Sequence, residues 1–144
     1  MSAADDILAF VRLFGLLERQ VVCCGTVSLP QCVALQALAS RPHTNTELAD
    51  ALGVTRGAIT RLLDGMDGRG WIVRSRDAGD RRRLAVSLAP AGRAEAKRLG
   101  GLFEESVAQL LAELPAKERP RVERSLRLLR DAAEATRARW SASA

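Results

Sequence analysis

From Ile7 to Val22 the apolar residues Ile7, Phe10, Val11, Phe14, Leu17 and Val21 recur every three or four positions, with Arg12, Glu18 and Arg19 between them. That period puts them on one stripe of a helix, and Leu13 and Leu16 widen it. Gly25 interrupts, Ser28 is placed to cap, and Pro30 suits the first turn of a second helix through Cys32, Val33, Leu35, Leu38 and Ala39. Arg41-Pro42 closes it. Thr44 or Asn45 caps a short third helix with Glu47, Leu48, Ala49 and Leu52, and Gly53 suits the turn that follows. A fourth helix, beginning near Thr55, turns Ala58, Ile59, Leu62, Leu63 and Met66 inward and leaves Arg56, Gly57, Thr60, Arg61 and Asp64 on other faces. Two short helices joined by a tight turn form a helix-turn-helix, and the Arg/Thr outer face of the second suits a DNA major groove.

Trp71-Ile72-Val73-Arg74-Ser75 and Leu84-Ala85-Val86-Ser87-Leu88 read as strands of a hairpin whose tip, Arg76 to Arg83, is basic: a wing. If the backbone there is extended, Asp80 and Arg82 emerge on one side and the carboxylate orients the guanidinium. After Pro90 a long helix carrying Ala94, Leu99, Leu102, Phe103, Val107, Leu110 and Leu111 runs toward Leu114, and Pro115 breaks or bends it. A last helix, about Arg119 to Arg139, aligns Val122, Leu126, Leu129 and Ala133. The expected fold is mostly α with a small β-hairpin wing, a winged helix-turn-helix of order α-α-α-α-β-β-α-α.

The first and last helices carry more apolar surface than such a head needs. Packing within one chain would absorb it, but a homodimer with a stem from both chain ends is the economical reading. On that reading residues 1–28 and 115–144 are dimerisation helices, 29–89 the DNA-binding domain, and 90–114 a long helix linking wing to stem.

Composition sharpens this. The 144 residues are 47% hydrophobic with only three Phe, two Trp and no Tyr, so the core is built from Ala, Leu and Val and is of one-domain size. The net charge of +5 is unevenly spread. Residues 54–93 hold nine Arg against four Asp, a surplus equal to that of the whole chain, in the segment of the fourth helix and the wing. Twenty of the 22 basic residues are Arg, whose planar fork suits phosphate oxygens and guanine edges. A merely solvated charged face is the plainer alternative. No apolar run approaches a membrane span and the chain starts with Asp5 and Asp6 near its N-terminus, so a cytoplasmic protein without membrane contact is expected.

Catalysis is not expected. No Ser-His-acid set can be placed, the lone His43 offers little acid-base capacity, and Glu47 with Asp50 serves as the polar face of a short helix. Gly65, Gly68 and Gly70 sit within or after a helix, not between a strand and a helix as a phosphate loop requires.

The element order, together with particular motifs, resembles the MarR family of winged helix-turn-helix regulators. The motifs are Glu47-Leu48-Ala49 with Leu52-Gly53-Val54, then Leu62-Leu63-Asp64-Gly65-Met66-Asp67-Gly68-Arg69-Gly70-Trp71-Ile72-Val73-Arg74, then Asp80-Arg81-Arg82-Arg83 leading through Val86-Ser87-Leu88 to Ala91-Gly92-Arg93. The resemblance implies a homodimer on a palindromic double-stranded DNA operator, each recognition helix in a major groove and each wing at the adjacent minor groove. Thr55, Arg56, Thr60 and Arg61 match the reading positions. Arg82 matches the wing arginine that enters the minor groove, steadied by Asp80, and Arg74, Arg81 and Arg83 match neighbouring phosphate contacts. A repressor is the expected outcome. A nonspecific architectural DNA-binding dimer and a protein-interaction adaptor are the other classes.

The resemblance also implies that DNA affinity is coupled to a phenolic or lipophilic ligand, to oxidation or to a metal. Cys23-Cys24-Gly25 followed by Gln31-Cys32 resembles a subgroup of the family without fixing an effector. The three thiolates suit trivalent arsenic, or a mercuric or cuprous ion with fewer ligands; zinc would want a fourth donor. Oxidation is the second use: a vicinal Cys23-Cys24 bond is awkward, whereas Cys32 with either neighbour, or a bond between subunits, is easier. Burial of all three in an apolar hinge is the third. His43 is read as a solitary surface histidine rather than a metal donor.

Overall fold

Caps and apolar stripes account for most of the architecture. The computed structural model describes residues 2–22 and 27–143, with the backbone alone for residues 18 and 20–22. The elements are α1 (Ala3–Val22), α2 (Leu29–Ser40), β1 (His43–Thr44), α3 (Asn45–Leu52), α4 (Arg56–Gly68), β2 (Ile72–Arg76), β3 (Leu84–Leu88), α5 (Pro90–Ala112) and α6 (Arg119–Ala142). The chain divides into two compact units, Met1–Glu104 and Glu105–Ala144.

In the first unit, α2 starts at a reciprocal cap. Ser28 Oγ accepts the Gln31 amide at 3.3 Å and Gln31 Oε1 accepts the Ser28 amide at 3.2 Å. Thr44 and Glu47 repeat the arrangement at the start of α3, at 3.2 and 3.0 Å. Gly53 ends α3 in the left-handed region at φ 65°, where a side chain would be strained. The helices and the sheet enclose Leu35, Leu48, Ile59, Leu63, Met66 and Val86, all fully buried. Each contributes about 1.5–3 kcal/mol from removal of apolar surface from water.

The wing is a hairpin, as expected, with Arg74 opposite Val86 and Arg76 opposite Leu84. The sheet, however, has three strands in the order β1-β3-β2. β1 pairs antiparallel to β3, His43 with Val86 and Thr44 with Ala85. Two residues are too few to show alternation, and Thr44 is also the α3 cap, so its pattern reads as a cap alone. The strand fastens the entry of the helix-turn-helix to the root of the wing.

His43 is also not a surface histidine. It is 9% exposed, and its Nδ1–H donates to the Arg41 carbonyl at 2.9 Å. A carbonyl two residues back satisfies the one donor that burial would otherwise orphan.

On α1, Ile7, Leu8, Phe10, Val11, Leu13, Leu16 and Leu17 stay exposed. Phe14 stacks on Phe10 and meets the edge of Phe103 at 6.0 Å. In the second unit α6 buries no residue: Leu126, Leu128 and Leu129 are exposed, and Trp140 is 74% exposed. α5 ends before Pro115. There the Arg119 guanidinium donates to the Ala112 and Leu114 carbonyls at 3.0 and 3.2 Å, supplying partners to carbonyls near the helix end. Among the described residues no helix is long and apolar enough to cross a membrane.

Candidate nucleic-acid interface

Thr55 caps α4 by accepting the Ala58 amide on its hydroxyl oxygen at 3.2 Å. From that start, a period of three to four carries Ile59, Leu63 and Met66 into the core. The same period leaves Thr55, Arg56, Thr60, Arg61 and Asp64 exposed. Thr60 donates its hydroxyl proton to the Arg56 carbonyl at 2.9 Å. Its methyl and an oxygen lone pair remain for a base edge, while Arg56 and Arg61 supply the strong donors.

The wing tip is a hydrogen-bonded turn, not an extended run. The Arg83 amide donates to the Asp80 carbonyl at 3.0 Å and the Asp77 amide to the Arg83 carbonyl at 2.9 Å. Asp77 Oδ2 accepts the Asp80 amide, and Asp80 Oδ1 accepts the Arg82 amide, each at 3.0 Å. The expected Asp80 to Arg82 pairing is therefore corrected: the carboxylate holds the Arg82 main chain, not its guanidinium. The turn sets the direction from which the side chain leaves. Arg76 completes the frame, its Nη1 donating to the Arg81 carbonyl at 3.2 Å.

Arg81, Arg82 and Arg83 are all exposed at this tip. Among the described residues no carboxylate lies within ion-pair distance of the guanidiniums of Arg56, Arg61, Arg81, Arg82 or Arg83. Arg74 differs, because its Nη2 lies 3.0 Å from Asp64 Oδ1.

Sequence reading missed Arg76 and Asp77 as the tip's framework, although an Asp three residues before a turn amide is a recognisable signal. It also missed Arg69, whose guanidinium carbon sits 4.7 Å from the centre of the buried Trp71 ring. Glu47, besides capping α3, pairs with Arg41 at 3.1 Å. The Thr44 amide, and then the Arg41 guanidinium, hold its carboxyl below the ordinary range.

Of the cysteine set, Cys23 and Cys24 lie outside the described residues. Cys32 is half-buried and packed against the core. Among the described residues no three His, Cys, Asp or Glu side chains gather as a metal site. Cys32 borders a cavity of about 320 Å³ together with Val33, Gln36, Leu99, Phe103 and Glu104. Gln36 Nε2 donates to the Ala96 carbonyl on α5 at 2.9 Å.

Comparison with known proteins places this geometry. The profile of the MarR family matches residues 27–84. The HTH-type transcriptional repressor Mb2911 of Mycobacterium bovis is 31% identical over 104 residues, 72% of this chain and 75% of its own length. The HTH-type regulator YcgE of Bacillus subtilis is 31% identical over 77 residues, 54% of this chain, and the match spans half of YcgE. Wild-type MarR from E. coli in its apo form superimposes with a TM-score of 0.77 at 24% identity, covering 90% of this chain and 97% of that one.

Proposed function

Because the chain belongs to the MarR family of winged helix-turn-helix transcriptional regulators, a family of DNA-binding proteins, we propose that it is a repressor that binds a palindromic operator as a homodimer. The observation that carries this is the contrast on α4: one side is buried in the core, the other offers Arg56, Thr60 and Arg61, and a wing framed by its own carboxylates displays three arginines without an ion-pair partner among the described residues. Arg61 and Arg56, with Thr55 and Thr60, read base edges in the major groove. Arg82 enters the minor groove, and Arg81 and Arg83 hold phosphates. The M. bovis relative is itself named a transcriptional repressor.

The homodimer reading draws support from α1, whose seven exposed apolar side chains are surface that water disfavours. Residues 1–28 and 115–144 form the stem on this reading, 29–89 the reading head and 90–114 the connection. Two heads must stand one helical turn apart on DNA, so any change at the joint between stem and head alters affinity.

The effector acts at that joint, near Cys23, Cys24 and Cys32. Three thiols exchange their protons for bonds to trivalent arsenic, whose hydroxyls leave as water; mercuric or cuprous ion takes fewer. Thiol oxidation by peroxide is the redox form of the same switch. A specific observation favours a second reading: the largely apolar cavity beside Cys32 has the volume for a small phenolic or lipophilic ligand, with Gln36 and Glu104 as its polar groups.

The test is fluorescence anisotropy with a palindromic duplex selected by the protein from a randomised pool, repeated with arsenite, mercuric ion, cuprous ion, peroxide or a phenolic acid. Release by a thiol reagent that is lost in Cys32→Ser supports the cysteine switch. Release by the phenol in both proteins supports the cavity. Affinity unchanged by every agent contradicts effector control.

A further inference from the structure

Asp64 is an acid on a helix side that otherwise carries Arg56, Thr60 and Arg61. Three residues after Arg61, it neighbours that side chain on the helix surface, and facing a polyanion its charge is unfavourable. Its carboxylate meets Arg74 of β2 at 3.0 Å. The arginine side chain is 35% exposed against 62% for the aspartate, so the cation is the partner drawn in. Arg74 stands two residues before Arg76, on the same face of the strand, and Arg76 bonds the Arg81 carbonyl at the tip. One bond ties the recognition helix to the wing stem, and the next ties the stem to the tip.

We propose that Arg74 is a positioning residue and not a phosphate contact: paired with Asp64, it sets the spacing between α4 and the wing, and thereby operator selectivity. The inference rests on the DNA-binding reading of both elements. A guanidinium already bonded to a carboxylate must give up that bond to take a phosphate, whereas Arg81, Arg82 and Arg83 have no ion-pair partner to give up among the described residues. The pair is partly exposed, so its loss is worth about two- to fivefold in affinity per half-site, not orders of magnitude.

The experiment titrates the selected palindromic duplex and a scrambled one over a series of NaCl concentrations, using the full chain, Asp64→Asn, Arg74→Gln and the double variant. The expected result is a similar loss on the palindrome in each single variant, no further loss in the double variant, and an unchanged salt slope for Arg74→Gln. The scrambled duplex should bind Asp64→Asn at least as tightly as the unsubstituted chain, because a negative charge has gone. The proposal is overturned if Arg74→Gln weakens both duplexes equally with a slope reduced by about 0.9, the value of one phosphate contact, or if Asp64→Asn tightens the palindrome. Variants indistinguishable from the unsubstituted chain overturn it as well. Should Arg74→Gln melt early, the exchange of Asp64→Arg with Arg74→Asp carries the test: recovered selectivity supports the pairing and continued loss contradicts it. If the unsubstituted chain itself fails to distinguish the duplexes, the DNA-binding reading falls before the pairing of Asp64 with Arg74 is in question.

Discussion

A Cβ on Gly92 would lie 2.0 Å from the Trp71 carbonyl oxygen, and that same oxygen accepts the Ala89 amide at 2.9 Å. The first turn of α5 thus rests on the backbone leading into β2, with no room for a methyl group. Gly92→Ala must displace helix or strand, and overpacking of this kind costs about 1–3 kcal/mol. Gly101 is the control, since a Cβ there meets nothing within 4 Å. Thermal melts followed by circular dichroism should show a lower midpoint for Gly92→Ala and an equal or higher one for Gly101→Ala. Equal midpoints would show that the contact relaxes freely.

Acid should loosen the helix-turn-helix at α3. The Glu47 carboxyl is held below its ordinary value first by the Thr44 amide and then by Arg41. A carboxyl lowered in the folded state contributes stability that is complete above its unfolded value and disappears as pH falls through the folded value. Glu47→Gln keeps an acceptor for the cap but does not titrate. Urea unfolding at stepped pH should therefore give a shallower acid loss for the variant than for the unsubstituted chain, and superimposable acid limbs would refute this.

The exposed stripe of α1 predicts association. Phe10→Glu with Leu13→Glu puts two charges on that apolar surface, at positions that are 49% and 51% exposed. Sedimentation equilibrium should give a dimer mass for the unsubstituted chain and a monomer mass for the variant. A monomer before substitution would remove the dimeric stem from the account.

Among the arginines proposed to meet DNA the expected division of labour is between sequence and charge. Arg61→Ala should cost about 1–3 kcal/mol on the selected palindrome and far less on a scrambled duplex. Arg81→Ala and Arg83→Ala should weaken both duplexes alike and lower the salt slope by about 0.9 each. Equal selectivity changes from Arg61 and from the wing pair would erase the distinction.

How much of this was legible depends on the range over which each feature acts. The helices announce themselves through local period and through caps such as Ser28 with Gln31 and Thr44 with Glu47, all within four residues. The same locality made the exposed face of α4 readable before its partners were known. β1 was hidden because two residues carry no period and pair with β3 some forty positions away. Asp80 misled because alternation presumes an extended chain, whereas the Arg83 amide closes on the Asp80 carbonyl and turns the tip. His43 went inward because one carbonyl satisfied its donor, a pairing that composition does not advertise. The bond between Asp64 and Arg74 spans ten positions and two elements, so charge counting could register the arginine but not its partner.

The central claim is selective recognition of DNA, and one titration tests it most directly. At fixed salt, anisotropy of the selected palindromic duplex and of a scrambled duplex of equal length should give dissociation constants at least about 10³-fold apart. Equal constants would contradict the account, leaving a charged surface that binds any duplex, and absence of binding to either would remove DNA from it.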